Sequence, residues 1–210
     1  MPGLFITFEG LEGCGKSTHI KLLAERLHDE GNDVITIREP GGTKSGEEIR
    51  RLLKHGPESL DPVAELLLMN ASRAQLVAKV ILPAIREGKI VLCDRFYDST
   101  IAYQGHGRML DSRLVQSAIR LAVADLEPDI TFLLQVSLET SEQRRAKRGG
   151  TDRFETADRS FFEKVNHGYS ELATTHASRI RPIASDRPVK TVQADIWTHV
   201  SELQKGTNNR

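Results

Sequence analysis

"LFITFEGLEGCGKSTHIKLLAERL", residues 4–27, decides the fold. Its first residues, Leu4–Phe8, are a run of apolar and β-forming side chains. Its last part places Ile20, Leu22, Leu23 and Leu27 at helical spacing and stops near Gly31, a residue suited to ending a helix. Between them stand Gly10, four residues, Gly15, Lys16 and Ser17, the G-x-x-x-x-G-K-[ST] pattern, with a strand before it and a helix after it. Glycines let successive backbone N–H groups converge on phosphate oxygens, and the helix starting near Lys16 adds the positive end of its dipole. In such a loop Lys16 reaches the β- and γ-phosphates, while Ser17 offers its hydroxyl to a Mg2+ that bridges them. An ordinary glycine-rich turn is the alternative, and the complete motif in its proper setting weighs against it.

Outward from this stretch, short β-rich runs alternate with longer segments of helical period, the pattern of a parallel sheet covered by helices. The predicted strands are 4–8, "VITIR" 34–38, "IVLCD" 90–94, "ITFLLQV" 130–136 and "VKTVQA" 189–194. Most are continuously apolar, as strands buried on both faces are. Helices are predicted over 17–29, 62–86, 111–125, 158–176 and 195–205, with another begun by "GEEIR" at 46–50. For the longest, Asp61 is the N-cap, Pro62 suits the first turn, Pro83 bends the last turns and Gly88 lies just past the end. The tail "KGTNNR" reads as frayed. No repeat, low-complexity tract or linker divides the 210 residues, which read as a single domain.

Twenty-nine basic residues balance twenty-nine acidic ones. No overall field therefore draws the chain to nucleic acid or to a membrane surface, and any basic chemistry is local. Cys14 and Cys93 lie far apart without metal-ligand spacing, which points to a reducing compartment, the cytoplasm, rather than a disulfide framework. No charged-then-apolar leader opens the sequence, and no apolar run approaches the roughly eighteen residues that cross a bilayer.

A phosphate-binding loop alone does not separate a kinase from a nucleotide switch or an ATP-driven motor. Guanine-reading switches carry N-K-x-D and D-x-x-G segments, and neither string occurs here. Instead the strand "IVLCD" runs into "DRFYDSTIAYQGHGR", 94–108. Asp94, at a strand's carboxyl end, is placed to orient a Mg2+-bound water, and Arg95 can fork two hydrogen bonds onto a phosphate. A strand cap with local pairing is the plainer alternative. Together the two residues suggest a second phosphate site facing the first.

In these residues the chain resembles the thymidylate kinases, P-loop enzymes that phosphorylate dTMP to dTDP with ATP. The matching strings are "FEGLEGCGKST" (8–18), "REPGGT" (38–43), "GEEIR" (46–50), "ASRAQ" (71–75), "DRFYDSTIAYQGHGR" (94–108) and "RGGTDRFE" (148–155), in family order. The resemblance implies an α/β P-loop nucleoside monophosphate kinase fold. It also implies a five-stranded parallel sheet flanked by helices on both faces, and a short lid over about 144–156. It implies a step in dTTP biosynthesis for DNA synthesis, Mg2+ with ATP as phosphoryl donor, and ATP and dTMP as the small-molecule partners. Nucleic acid and membrane are not expected partners. Such enzymes are commonly homodimers, and the apolar long helix can supply an isologous face.

Residue roles follow by the same resemblance. ATP binding falls to Gly10, Leu11, Glu12, Gly13, Cys14, Gly15, Lys16, Ser17 and Thr18, with Arg144, Arg148 and Arg153 from the lid segment "RRAKRGGTDRFE". The loop's variable positions hold no arginine, and family members of that kind take a transition-state arginine from the lid. Arg148 matches that position best, with Arg144 and Arg153 as helpers. On the dTMP side, Glu12 approaches the sugar 3′-hydroxyl, Glu39 and Pro40 lie by the acceptor, and Arg50 helps Arg95 hold the monophosphate. Arg73 reads the thymine edge, and Met69, four residues before it, covers the base where the family usually has phenylalanine. Thr100, Tyr103 and Gln104 meet base and deoxyribose. Lys16, Arg95, Arg148 and Glu12 are the catalytic candidates, and Ser17 with Asp94 the metal candidates. Blander readings stand beside these. Arg50 can lie on a solvated helix face like Glu48 and Arg51, Met69 can be helix core, and the lid's basic run can be solvated. Glu9 is either a supporting inner acid or a surface strand end, and Tyr169 lies either near the base pocket or in the core.

Overall fold

Leu4, Ile6 and Phe8 point to one side of the first strand and Phe5 to the other, and each side meets an apolar layer. The computed structural model describes residues 3–56, 59–148 and 158–208. Strands β1 (Leu4–Glu9), β2 (Val34–Arg38), β3 (Ile90–Asp94), β4 (Ile130–Gln135) and β5 (Ile180–Ala184) make one parallel sheet in the order β2-β3-β1-β4-β5.

Helices α1 (Lys16–Asp29) and α9 (Val189–Asn208) cover the side of Leu4, Ile6 and Phe8, where Leu23, Leu27, Val192 and Ile196 pack on Leu92 and Phe132. On the opposite side Phe5, Val91 and Cys93 meet α3 (Pro62–Leu76) and α6 (Ser112–Val123). Further along that side, Leu133 and Ile180 meet Phe161, Val165 and Tyr169 of α8 (Arg159–Thr175). Covering both faces is what continuously apolar parallel strands require.

The register pairs Phe8 with Asp94 and Arg38 with Asp94, so β1, β2 and β3 end level with one another. Their next residues, or their last, are Glu9, Glu39 and Asp94, which therefore gather at one crest. The chain leaves β1 for β2 on one side and later reaches β4 on the other, so the crevice above β1 is where an open α/β sheet holds ligands.

One predicted strand is corrected. Residues 189–194 open α9, and the fifth strand is "IRPIA", 180–184. Val192, Ile196 and Val200 recur every four residues and are fully buried, a helical stripe that outweighs the β-branched composition. Pro182 argues against a central strand, but β5 pairs only with β4, at the sheet edge, where a missing N–H costs no second ladder. The same helix runs on to Asn208, so Lys205 to Asn208 of the tail continue it, and residues 209–210 lie outside the described residues.

The long segment 62–86 is helical but not uniform. It comprises α3, a π-helical turn Val77–Ile81 and α4 (Leu82–Arg86). The Leu82 N–H bonds to the Val77 carbonyl, and this wide turn lies directly ahead of Pro83, whose ring crowds the carbonyl four residues before it. Asp61 accepts from the Val63 N–H at 2.8 Å, as an N-cap does. Three helical pieces were not predicted or began elsewhere. Helix α2 (Lys44–His55) starts before "GEEIR", with the Thr43 hydroxyl accepting from the Gly46 N–H at 3.0 Å. A short α5 (Tyr97–Thr100) continues into a π-helical segment Ile101–Gly107, and α7 (Leu138–Arg148) follows β4. Among the described residues no helix is long and apolar enough to cross a membrane.

Candidate active site

The bend between β1 and α1 holds Gly10, Gly13 and Gly15 at φ of 128°, 77° and 101°. A Cβ on Gly10 would sit 2.3 Å from the Leu134 carbonyl oxygen, so no larger residue fits there. Lys16 Nζ folds over the loop and donates to the carbonyls of Gly10 at 3.0 Å and Leu11 at 3.1 Å. Three side chains brace the loop from outside. Ser141 Oγ donates to the Glu12 carbonyl at 2.7 Å, Arg144 Nη1 to the Gly13 carbonyl at 2.9 Å and Ser185 Oγ to the Cys14 carbonyl at 2.9 Å. Leu11 and Cys14 are buried, whereas Ser17 and Thr18 are exposed at the start of α1.

Across the cleft, Arg95 directly follows β3 with φ 71°, a left-handed conformation that non-glycine residues adopt at a cost of about 1 kcal/mol. Its Nη2 donates to Glu12 Oε1 at 2.8 Å and to the Tyr103 hydroxyl at 3.2 Å. Its Nη1 donates to Ser99 Oγ at 3.0 Å and to the Tyr169 hydroxyl at 3.1 Å. Tyr103 in turn donates to both Glu12 oxygens, at 2.9 and 2.7 Å. Burial pushes the Glu12 carboxyl pKa up, but Arg95, Lys16 and the Tyr103 hydroxyl outweigh it and hold the group below its ordinary value. Burial also lifts both tyrosine hydroxyls far above their usual range, so they remain donors.

Beneath this layer lies a second one. Glu9 is 1% exposed and accepts from the Phe96 N–H at 2.7 Å, Ser99 Oγ at 2.5 Å and the Tyr169 hydroxyl at 2.9 Å. It is thus an inner supporting acid, not a surface residue, and Tyr169 is buried with its hydroxyl in the same polar cluster. Burial first, then Asp98, raise the Glu9 pKa. Asp98 is itself gripped by a fork from Arg179, with bonds of 2.7 and 2.9 Å.

Arg73, also 1% exposed, has both Nε and Nη2 at 2.7 Å from Glu39 Oε2, Nη1 bonded to Asn70 and Thr100, and Nη2 bonded to the Phe96 carbonyl. Its N–H groups are thus engaged within the protein. Burial, with help from Glu9, raises the Glu39 carboxyl to about 7 against the pull of Arg73.

The cleft itself is walled by five basic side chains, Lys16, Arg38, Arg50, Lys54 and Arg95, against three carboxyl groups, Glu12, Glu39 and Asp94. A chain of zero formal charge therefore carries a locally basic site. Met69, Pro40, Tyr103 and Gln104 line the same space. Met69 is both cleft wall and helix interior, being 8% exposed. Arg50 leaves the solvated face of α2 and donates to the Pro40 carbonyl at 2.8 Å, whereas Arg51 pairs with Glu48 in solvent. Ser17 Oγ donates to Asp94 Oδ2 at 3.1 Å, which brings two hard oxygen donors together at the rim. That set suits Mg2+, which takes one or two carboxylates and fills its remaining positions with phosphate and water. Among the described residues no three His, Cys, Asp or Glu side chains are grouped to hold a metal by themselves.

Arg73 and Thr100 stand behind the wall rather than in it. The Arg148 side chain and Arg153 lie outside the described residues. Sequence reasoning overlooked Arg38, Lys54, Glu65, Asp98, Ser99 and Arg179. Glu65 shares a helix face with Met69 and Arg73 at a spacing of four, and Asp98 and Ser99 stand inside the quoted "DRFYDST", so a signal existed for these. Arg179 belongs to no motif.

The chain matches the family model described as thymidylate kinase over residues 8–196. It is 45% identical over 205 residues to a thymidylate kinase of Pelotomaculum thermopropionicum, covering 97% of this chain and 95% of that one. It is 42% identical over 208 residues to one from an Exiguobacterium species, covering 98% of each. The crystal structure of thymidylate kinase from Ehrlichia chaffeensis is similar at a TM-score of 0.79 and 34% identity, covering 95% of this chain and 100% of that one.

Proposed function

The chain belongs to the thymidylate kinase family and phosphorylates dTMP to dTDP with ATP, and from that premise we propose how its own residues divide the work. The loop from Gly10 to Thr18 receives the ATP phosphates through its backbone N–H groups and Lys16, with Arg144 at its edge. The acceptor is an oxygen of the dTMP phosphate, already a competent nucleophile, so alignment and charge neutralisation are the enzyme's task and no strong base is needed. Arg95 exchanges Glu12 for that phosphate, with Arg50 beside it, and Glu12 then serves the sugar 3′-hydroxyl with Tyr103 at the ring. Glu39 and Pro40 close the acceptor side. Met69 covers the base and Gln104 meets its edge. Arg73 and Thr100 support that pocket from behind, and Arg73 reaches the base by exchanging one of its protein partners. Arg148, aided by Arg153, supplies positive charge to the transferred group.

Ser17 and Asp94 would hold Mg2+, which when bound offsets phosphate charge. The chain works in the cytoplasm as a single domain within a homodimer. Leu67 of α3 is 58% exposed and Leu121 of α6 is 88% exposed, on two helices packed against each other, which supports an isologous apolar face.

One observation carries the reading: Lys16 and Arg95 line a single cleft, with Glu12 between the loop and the arginine. ADP release measured with ATP and each of dTMP, dUMP, dCMP and thymidine tests it. Release that requires dTMP is expected, whereas hydrolysis indifferent to every acceptor would mark a nucleotide switch instead.

A further inference from the structure

Gln104 lines the cleft and is fully buried. Its Nε2 donates to Glu65 Oε1 at 2.8 Å, while its Oε1 is buried with no hydrogen-bond partner among the described residues. The direction of that bond follows from the chemistry of the pair. A carboxylate oxygen only accepts, so the amide nitrogen must face Glu65 and the amide oxygen must face away from it. Glu65 is itself held. Arg108 donates through Nε to Oε1 at 3.2 Å and through Nη2 to Oε2 at 3.1 Å, and its guanidinium lies 4.8 Å from the centre of the Phe161 ring. At 1% exposure Glu65 has no solvent to turn to. A buried acceptor without a partner is unfavourable until something pairs with it, and a site so built rejects ligands that cannot.

We propose that Glu65 is a positioning residue that sets base specificity by fixing the polarity of the Gln104 amide. With the oxygen presented, the pocket takes a base edge carrying an N–H, the imide of thymine or uracil. It disfavours cytosine, whose ring nitrogen at that place is an acceptor and meets a second acceptor. The inference rests on the reading that the cleft binds dTMP. It adds to that reading a residue that touches no substrate and acts through another.

The test is Glu65→Gln, which keeps the side chain's length but lets it donate as readily as accept, so that Gln104 can present either end. Initial rates with dTMP and with dCMP are titrated at saturating ATP for wild type and E65Q, with thermal melting as the check on folding. The wild type is expected to prefer dTMP, and E65Q to lose about tenfold or more of the dTMP:dCMP ratio in kcat/KM, chiefly through KM. A general loosening of the fold would lower both rates and leave the ratio alone. A folded E65Q that keeps the wild-type ratio overturns the inference. Should E65Q fail to fold, the pair Glu65→Leu with Arg108→Met, which removes the acceptor facing Gln104 together with the cation that its loss would strand, is read in the same way and an unchanged ratio again overturns it. A wild type that does not turn over dTMP at all would sink the functional reading and the inference with it, a result distinct from an unchanged ratio.

Discussion

Arg95 and Glu12 meet at 2.8 Å across the mouth of the cleft, one at the end of β3 and the other in the loop after β1. The contact joins the two halves of the site and is shared by the Tyr103 hydroxyl. Charge-assisted bonds of this kind, made to a partner that a phosphate can replace, pre-position the guanidinium without tying it to the ground state. Arg95→Ala is expected to lower kcat/KM for dTMP by at least about a hundredfold. The loss of stability should be only about 1–3 kcal/mol, from depriving Glu12 of its guanidinium partner while the Tyr103 hydroxyl still donates to it. Steady-state kinetics set beside urea unfolding check this, and activity retained within a few-fold would remove Arg95 from the acceptor site.

Gly10→Ala should both destabilise the protein and abolish ATP binding. Its Cβ would fall 2.3 Å from a backbone oxygen at φ 128°, and a backbone cannot give way as a flexible side chain can. Gly206→Ala is the control. Among the described residues nothing lies within 4 Å of its Cβ position in α9, so a gain of about 0.5–1 kcal/mol is expected from better helix propensity. Thermal melts of the two variants with and without ATP distinguish close approach from a general intolerance of alanine.

Stability should depend on pH through Glu39. Its carboxyl is raised from 4.5 to about 7 by burial, so the folded state binds a proton that the unfolded chain has already lost. The associated stability is fully present below about 4.5 and declines as pH rises to about 7, with no further change above that. Glu39→Gln should flatten the curve across that window. Melting temperatures at half-unit steps test the slope, and equal slopes in variant and wild type would assign the pH dependence elsewhere.

Asp94→Asn should raise the Mg2+ concentration needed for half-maximal rate more than Ser17→Ala does, since a carboxylate is the stronger ligand of the pair that meets at 3.1 Å. Rates over a Mg2+ titration at fixed ATP and dTMP read this directly.

Much of this site is legible in the sequence because local chemistry fixes it. The loop at 10–17 needs its glycines where backbone meets backbone, and Asp94 and Arg95 follow a strand whose apolar run is unmistakable. What the sequence conceals are choices made by packing. Residues 189–194 read as strand until the four-residue spacing of Val192, Ile196 and Val200 is weighed, and "IRPIA" becomes a strand only because an edge position tolerates Pro182. Glu9 could be assigned to the interior only once Ser99 and Tyr169, 90 and 160 residues away, were seen to bond to it. Arg179, which grips Asp98 from 81 residues further along, is invisible to any local reading. Long-range pairing of buried charges leaves no periodic trace, whereas loops that hold phosphate do.

The central claim is that donor and acceptor phosphates are held in one cleft, by Lys16 on one side and Arg95 on the other. Inhibition by a molecule in which adenosine and thymidine are joined through a chain of phosphates tests it most directly. Competition against ATP and also against dTMP, weakened by either Lys16→Ala or Arg95→Ala, is the expected result. Competition against one substrate with no effect on binding of the other would contradict the account.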